Sequence, residues 1–158
     1  MIRIICIGNR YEEDDAAGPL AYDLLAEREL PEGVSLVDGG LSGLNLLGMV
    51  QECTRVVFID SVEGFGEPGE VKLIRNATQA FDRPERHDHG TGLSYLLSML
   101  DQLVEGEAPE VLVIGVQPPF TESSIWRAAE MSLVAAAKEE KPVAPAWQEI
   151  KARKDLIA

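Results

Sequence analysis

The chain has 158 residues, of which 46% are hydrophobic and 26% are charged, which is the composition of an ordinary globular domain. Its 27 acidic and 14 basic residues give a net charge of −13, which disfavours a nucleic-acid partner and favours a basic peptide or a cation. No apolar run approaches the roughly 20 residues that cross a bilayer, so we predict a single cytoplasmic domain over residues 1–158 without membrane insertion.

Four short apolar runs predict strands that are buried on both faces. They are Ile2–Ile7, Val34–Val37, Val56–Ile59 and Val111–Val116. Three segments of helical period separate or follow them: one after Gly18-Pro19 with Leu20, Leu24 and Leu25 on one face, a leucine stripe from Leu93 to Val104, and a segment from Ile125 to Ala137. Strands that alternate with helices predict right-handed crossovers and a mostly parallel sheet that is covered on both faces.

One segment departs from this alternation. Glu67-Pro68-Gly69 predicts a turn, and Glu70–Ile74 alternates polar with apolar residues, which is typical of an edge strand. We predict that this strand runs antiparallel to the strand before it. The polar segment 75–88 predicts a loop, and the tail from about 141 to 158 carries no pattern that assigns its structure.

Acidic side chains follow two of the predicted strands. Asp14 and Asp15 lie between the first strand and the first helix, and Asp60 directly follows the third apolar run. Ligands of an open parallel sheet bind outside the carboxyl ends of its strands, at the point where the winding direction reverses. If the first strand lies between the second and the third, Asp15 and Asp60 both flank this point.

His89 precedes the leucine stripe and could reach the same crevice. Two carboxylates and an imidazole form a ligand set that suits a divalent metal such as nickel or zinc. Other interpretations stay open: Asp14 or Asp15 could cap the following helix, His89 could be a surface residue, and His87 is a rival ligand. Asp38-Gly39-Gly40 predicts a tight turn, and Gly40-Leu41-Ser42-Gly43 lacks the spacing of the GxSxG nucleophile elbow.

An ordered set of motifs resembles the hydrogenase maturation endopeptidases. The set comprises Cys6-Ile-Gly-Asn, Asp14-Asp-Ala-Ala-Gly-Pro, Asp38-Gly-Gly-Leu-Ser-Gly-Leu-Asn-Leu-Leu, Val57-Phe-Ile-Asp-Ser-Val, Pro68-Gly-Glu-Val, the loop around His89, and Ile114-Gly-Val-Gln-Pro. Their order from about Ile4 to Pro118 is specific, although no single motif is. The resemblance implies an α/β fold, a three-layer αβα sandwich of the phosphorylase/hydrolase-like kind.

The resemblance also implies a function and a site. It implies an endopeptidase that removes the C-terminal extension from the nickel-loaded large-subunit precursor of a NiFe hydrogenase, and that acts as a monomer. The metal contacts fall on Asp15, Asp60 and His89, the nickel comes with the precursor, and no tightly bound cofactor is expected. Spacing to the Gly92-Leu93 pair favours His89 over His87, and Asp14 is assigned to hold the turn.

Two mechanisms are compatible with these residues. In the first, nickel held by the precursor is a recognition signal that also orients the scissile bond. In the second, the metal acts as a Lewis acid and hydroxide source, with Asp15 or Asp60 as proton acceptor. Two other functions remain: a non-catalytic nickel-binding or assembly factor with the same triad, and a peptidyl-tRNA hydrolase-like enzyme, which the net charge disfavours.

Overall fold

A computed structural model describes residues 1–41, 46–75, 93, 97 and 108–137. These residues form the strands β1 (Ile2–Ile7), β2 (Val34–Gly40), β3 (Arg55–Ser61), β4 (Val71–Ile74) and β5 (Glu110–Val116). They also form the helices α1 (Ala17–Ala26), α2 (Leu47–Val50) and α3 (Glu122–Ala136), and a 3-10 turn, Glu13–Asp15, precedes α1. None of the helices in this part of the chain is long and apolar enough to cross a bilayer.

The described strands form one sheet in the order β2-β1-β3-β5-β4. β1 pairs in parallel with both β2 and β3, and β3 pairs in parallel with β5. The predicted position of the first strand between the second and the third is therefore confirmed. Because the chain moves from β1 outward to β2 and then returns to β3 on the other side of β1, the winding direction reverses beside β1.

The edge strand β4 is antiparallel, as predicted, but its hydrogen-bond partner is β5 and not β3. The segment between β3 and β4 crosses the end of β5. The Val62 N–H donates to the Val116 carbonyl at 3.0 Å, and the Gly69 N–H donates to the Gln117 carbonyl at 2.9 Å. These bonds carry the chain past β5 before it turns back, so β4 lies on the far side of β5.

Two apolar cores lie on opposite faces of the sheet. The first core joins the sheet to α1 and α3 and includes Ile4, Val57, Ile59, Leu25 and Ala128. The second core lies on the other face and includes Ile5, Phe58, Val50, Leu93 and Leu97. A sheet with apolar packing on both faces confirms the predicted α/β architecture, a mostly parallel sheet with one antiparallel edge strand between two helical layers.

The buried face of α1 differs from the prediction. Of the three leucines assigned to it, Leu25 is buried, whereas Leu20 and Leu24 are exposed. The side that faces the sheet consists mainly of small residues: Ala17, Gly18, Pro19 and Ala21 lie there with Leu25. Small residues occupy this side because α1 lies very close to β1, where a large side chain would not fit.

The other predictions have mixed outcomes. The predicted tight turn at Asp38-Gly39-Gly40 is corrected in part: β2 continues to Gly40, where its pairing with β1 shifts by one residue, but Gly40 has the positive φ of a turn residue. The third helical stripe is confirmed by the buried face of α3. Most of the leucine stripe, the predicted loop beyond Arg75 and the tail from about 141 lie outside the described residues.

Candidate functional site

Asp60 lies at the carboxyl end of β3 with only 5% of its surface exposed. Side chains of a strand alternate between the two faces of a sheet, so Asp60 shares the face of Phe58, which packs with Leu93 and Leu97. Burial raises the pKa of Asp60 well above its usual range, and the negative charge of Asp15 raises it further. The Ser61 backbone N–H donates to the Asp60 carboxylate and lowers this pKa to a smaller extent.

Asp15 ends the loop that joins β1 to α1, and its side chain closes this loop. The Asn9 N–H donates to Asp15 Oδ2 at 3.0 Å, and the Asp15 N–H donates to the Glu12 carbonyl at 3.0 Å. Gly8 packs directly against the same turn, because a Cβ at Gly8 would lie 2.1 Å from the Asp15 carbonyl oxygen. We assigned the role of holding the turn to Asp14, but the cross-loop bond is accepted by Asp15.

The start of α1 is fixed to the end of β3 rather than capped by the acid pair. Ala16 occupies the N-cap position and has no side-chain cap, so neither Asp14 nor Asp15 is the N-cap residue. The Ala17 N–H instead donates to Ser61 Oγ at 3.3 Å. Ser61 thus ties the helix that follows Asp15 to the strand that carries Asp60.

Removing the negative charge of Asp15 is expected to lower the pKa of Asp60. In Asp15→Asn, the second cause of the raised pKa is removed, but burial remains, so the pKa should stay above the usual range of an aspartate. The measurement is the NMR chemical shift of the side-chain carboxyl carbon (Cγ) of Asp60, followed as a function of pH. Asp14→Asn is the matched control with no expected change, and an Asp60 midpoint unaffected by Asp15→Asn would contradict the electrostatic contact.

The third predicted ligand cannot be placed beside the acid pair. His89 and its rival His87 lie outside the described residues. Within the described part of the chain, no three His, Cys, Asp or Glu side chains are grouped so that they could hold a metal ion. Asp15 and Asp60 are therefore the two members of the predicted triad that lie near each other in the described structure, and the metal contact of all three residues stays a prediction.

A cavity of about 430 Å³ lies at the opposite edge of the sheet, where the strands begin. Its walls are formed by Met1, Ile2, Glu32, Gly33, Thr54, Arg55 and Glu110. Arg55 Nε donates to the Glu110 carboxylate at 2.8 Å, and Nη1 donates to the Ala135 carbonyl at 3.0 Å. The charged side chains of this wall are thus engaged in structural contacts. Since parallel sheets bind ligands at their carboxyl edge, the acid pair is the better candidate for a functional site.

Sequence reasoning missed two residues that shape the site. Asn9 stands in the first of the family motifs, but its link to Asp15 depends on how the loop folds back. Ser61 directly follows Asp60, and its contact with α1 requires knowledge of which face of β3 meets which helix. The alternation of the strand gives a usable signal, because Ser61 must face the side opposite to Asp60.

The described residues define a doubly wound α/β protein with a buried acid and a second acid at the switch point of its sheet. A family model described as hydrogenase maturation protease matches residues 20–143, which is most of the chain. The chain therefore belongs to the hydrogenase maturation protease family, and the resemblance found in its motifs is confirmed.

Individual relatives agree with this assignment. The hydrogenase expression/formation protein HoxM of Azotobacter vinelandii is 36% identical over 121 residues, which cover 74% of this chain and 58% of that protein. The hydrogenase 3 maturation protease of Escherichia coli is 31% identical over 117 residues, covering 73% of this chain and 71% of that protein. The chain thus spans less than two thirds of the length of HoxM.

A solved structure confirms the fold. The hydrogenase maturating endopeptidase HybD from Escherichia coli superposes with a TM-score of 0.72 at 28% sequence identity. The match covers 85% of this chain and 90% of the HybD chain. The five-stranded sheet and its helical layers are therefore the architecture of a known maturation endopeptidase.

Proposed function

We propose that this protein is an endopeptidase that removes the C-terminal extension from the nickel-loaded large-subunit precursor of a NiFe hydrogenase. Membership of the maturation protease family supports the reaction class. The observation that carries the proposal is the placement of the acids at the switch point: Asp60 is buried at the end of β3, and the 3-10 turn that contains Asp15 packs against that strand. Two neighbouring acids, one of them buried, destabilise the folded protein when both are ionised. A bound cation would offset this unfavourable free energy.

The two acids are suited to contact the nickel of the precursor. Each offers carboxylate oxygens, and the Asn9 N–H orients the carboxylate of Asp15. Such supporting hydrogen bonds fix the direction of a metal ligand. Nickel that belongs to the substrate would mark a completed metal centre and fix the nearby chain for cleavage, and proximity alone supplies a large part of such a rate.

The second core supports a histidine contact from the segment that precedes Leu93. Leu93 and Leu97 pack with Phe58 on the face of the sheet that Asp60 shares. His89 precedes Leu93 by four residues, and four residues span at most about 14 Å. We choose His89 as the third metal contact because the motif resemblance assigns it, and its imidazole nitrogen complements the two carboxylates.

The test mixes the purified protein with its cognate precursor loaded with nickel and follows both by intact-mass measurement. We expect the precursor to lose its C-terminal extension while the protease keeps its mass. His89→Ala is expected to lower the processing rate by about 100-fold or more, since even partners of metal ligands contribute 10- to 100-fold. His87→Ala is the matched control and should process the precursor at the wild-type rate.

Each result separates the candidates. A precursor that binds nickel-dependently but is never shortened would replace the endopeptidase proposal with a nickel-binding or assembly factor. Retained cleavage by His89→Ala, together with loss of cleavage in His87→Ala, would move the histidine contact to His87.

A further inference from the structure

Tyr11 is the most exposed large side chain near the acid pair. It lies in the loop between β1 and the 3-10 turn, and 92% of its surface is exposed. Tyrosine usually buries its ring and leaves the hydroxyl in water, so a ring held this far into solvent requires a reason. Tyrosines of this kind are common as anchors in binding surfaces.

The backbone that carries Tyr11 is fixed on both sides. The Tyr11 N–H donates to Asn9 Oδ1 at 3.0 Å, and the Glu12 N–H donates to the Asn9 carbonyl at 3.2 Å. Arg10 forms two hydrogen bonds with Asp23 of α1, at 2.5 Å and 3.0 Å. A preorganised backbone loses little conformational entropy when its side chain binds a partner, so the loop presents the exposed ring for contact.

A second exposed apolar side chain stands at the end of the neighbouring strand. Leu41 directly follows β2, and 63% of its surface is exposed. The Gly8 N–H donates to the Gly40 carbonyl at 3.1 Å, which brings the end of β2 against the start of the loop that carries Tyr11. Leu41 therefore follows a residue that is bonded to the start of the loop in which Tyr11 lies.

The charges around this loop indicate what kind of segment fits there. Glu12, Glu13 and Asp14 are exposed beside Tyr11, while the guanidinium of Arg10 is engaged by Asp23. The net charge of the whole chain is −13. Charge complementarity therefore favours a partner segment of positive charge that also carries an apolar side chain.

We propose that Tyr11 and Leu41 form a docking surface for the precursor polypeptide, where they bind an apolar side chain in a positively charged stretch. This inference rests on the proposed function, because it places the same substrate over the acid pair. The surface contributes binding rather than chemistry, so its loss should affect the Michaelis constant and not the turnover number.

The test measures KM and kcat for processing of the nickel-loaded precursor. Tyr11→Ala is expected to raise KM by roughly 10- to 50-fold with little change in kcat, as for a central interface residue. Tyr11→Phe keeps the ring and should stay near wild type, and Leu41→Ala should raise KM by roughly threefold. Trp126→Ala is the matched control, because Trp126 is also an exposed aromatic residue, with 59% of its surface exposed, but it belongs to α3 and not to the loop.

A binding measurement separates this inference from the proposed function. In the Asp60→Asn background, which prevents cleavage, Tyr11→Ala should raise the Kd for the intact precursor by a factor similar to the increase in KM. Cleavage with an unchanged KM in Tyr11→Ala would overturn the docking surface alone, whereas Tyr11-dependent binding without any cleavage by the protein with Asp60 intact would overturn the endopeptidase alone. A precursor that neither binds nor is cleaved would overturn both, and a Tyr11-dependent dimer in sedimentation would replace the docking surface with a contact between copies.

Discussion

Asp60→Asn is expected to abolish processing of the precursor and at the same time to stabilise the folded protein at neutral pH. The loss follows because an amide replaces an ionisable carboxylate in the proposed metal contact, and we expect a decrease of about 100-fold or more. The gain in stability follows because Asp60 is buried and lies near the negative charge of Asp15. Asparagine keeps the shape and the acceptor for the Ser61 N–H, and it cannot ionise.

The sign of the stability change follows from proton linkage. The folded protein raises the pKa of Asp60, so protonation of Asp60 favours the folded state below the unfolded pKa of about 3.9. This contribution is lost as the pH rises through the folded pKa, and it is absent in Asp60→Asn. The stability of the variant relative to wild type should therefore increase with pH, and its Tm relative to wild type should increase in the same direction.

Thermal melts at about pH 5 and about pH 8 test this pH dependence, and the processing assay tests the loss of function. Asp14→Asn is the matched control, since Asp14 is an exposed acid of the same 3-10 turn, and neither quantity should change. An Asp60→Asn protein that still processes the precursor would remove Asp60 from the site. An Asp60→Asn protein with a lower Tm than wild type at the higher pH would show that the ionised Asp60 carboxylate does not destabilise the fold.

The strands were predictable because they are nearly continuous apolar runs, as expected when both faces of a parallel sheet are buried. The partner of β4 was not, since the hydrogen bonds from Val62 and Gly69 that carry the chain past β5 link residues far apart in sequence. The buried side of α1 was also missed. Hydrophobicity favoured Leu20 and Leu24, whereas the close approach to β1 selects Ala21 and Gly18.

The acid pair was predictable for a different reason. Asp15 and Asp60 follow β1 and β3, and the topology alone brings the carboxyl ends of neighbouring parallel strands together. The residues that hold these acids were not predictable, because Asn9 acts through its backbone N–H, which no residue type reveals. Ser61 acts across the layers of the fold, and the histidine contact still depends on the motif resemblance.

The position of Asp15 depends on how closely α1 approaches β1. A Cβ on Gly18 would lie 2.0 Å from the carbonyl oxygen, 2.6 Å from the nitrogen and 2.7 Å from the carbonyl carbon of Ile7. All three atoms belong to the backbone of β1, the strand that lies between β2 and β3, so they can shift only at the cost of disturbing the sheet. Any side chain at Gly18 must therefore push α1 away from the sheet, and it would strain the bond between Ala17 and Ser61.

Gly18→Ala is accordingly expected to destabilise the protein by about 2 to 4 kcal/mol, at or beyond the upper range for overpacking of a core. The measurement is the free energy of unfolding from denaturant titration. Gly48→Ala is the matched control: Gly48 lies in α2, and a Cβ added there would meet no atom within 4 Å, so alanine should be neutral or stabilise by up to about 1 kcal/mol. Equal stability of the two variants would show that α1 can shift at no cost, and that its contact with β1 does not set the position of Asp15.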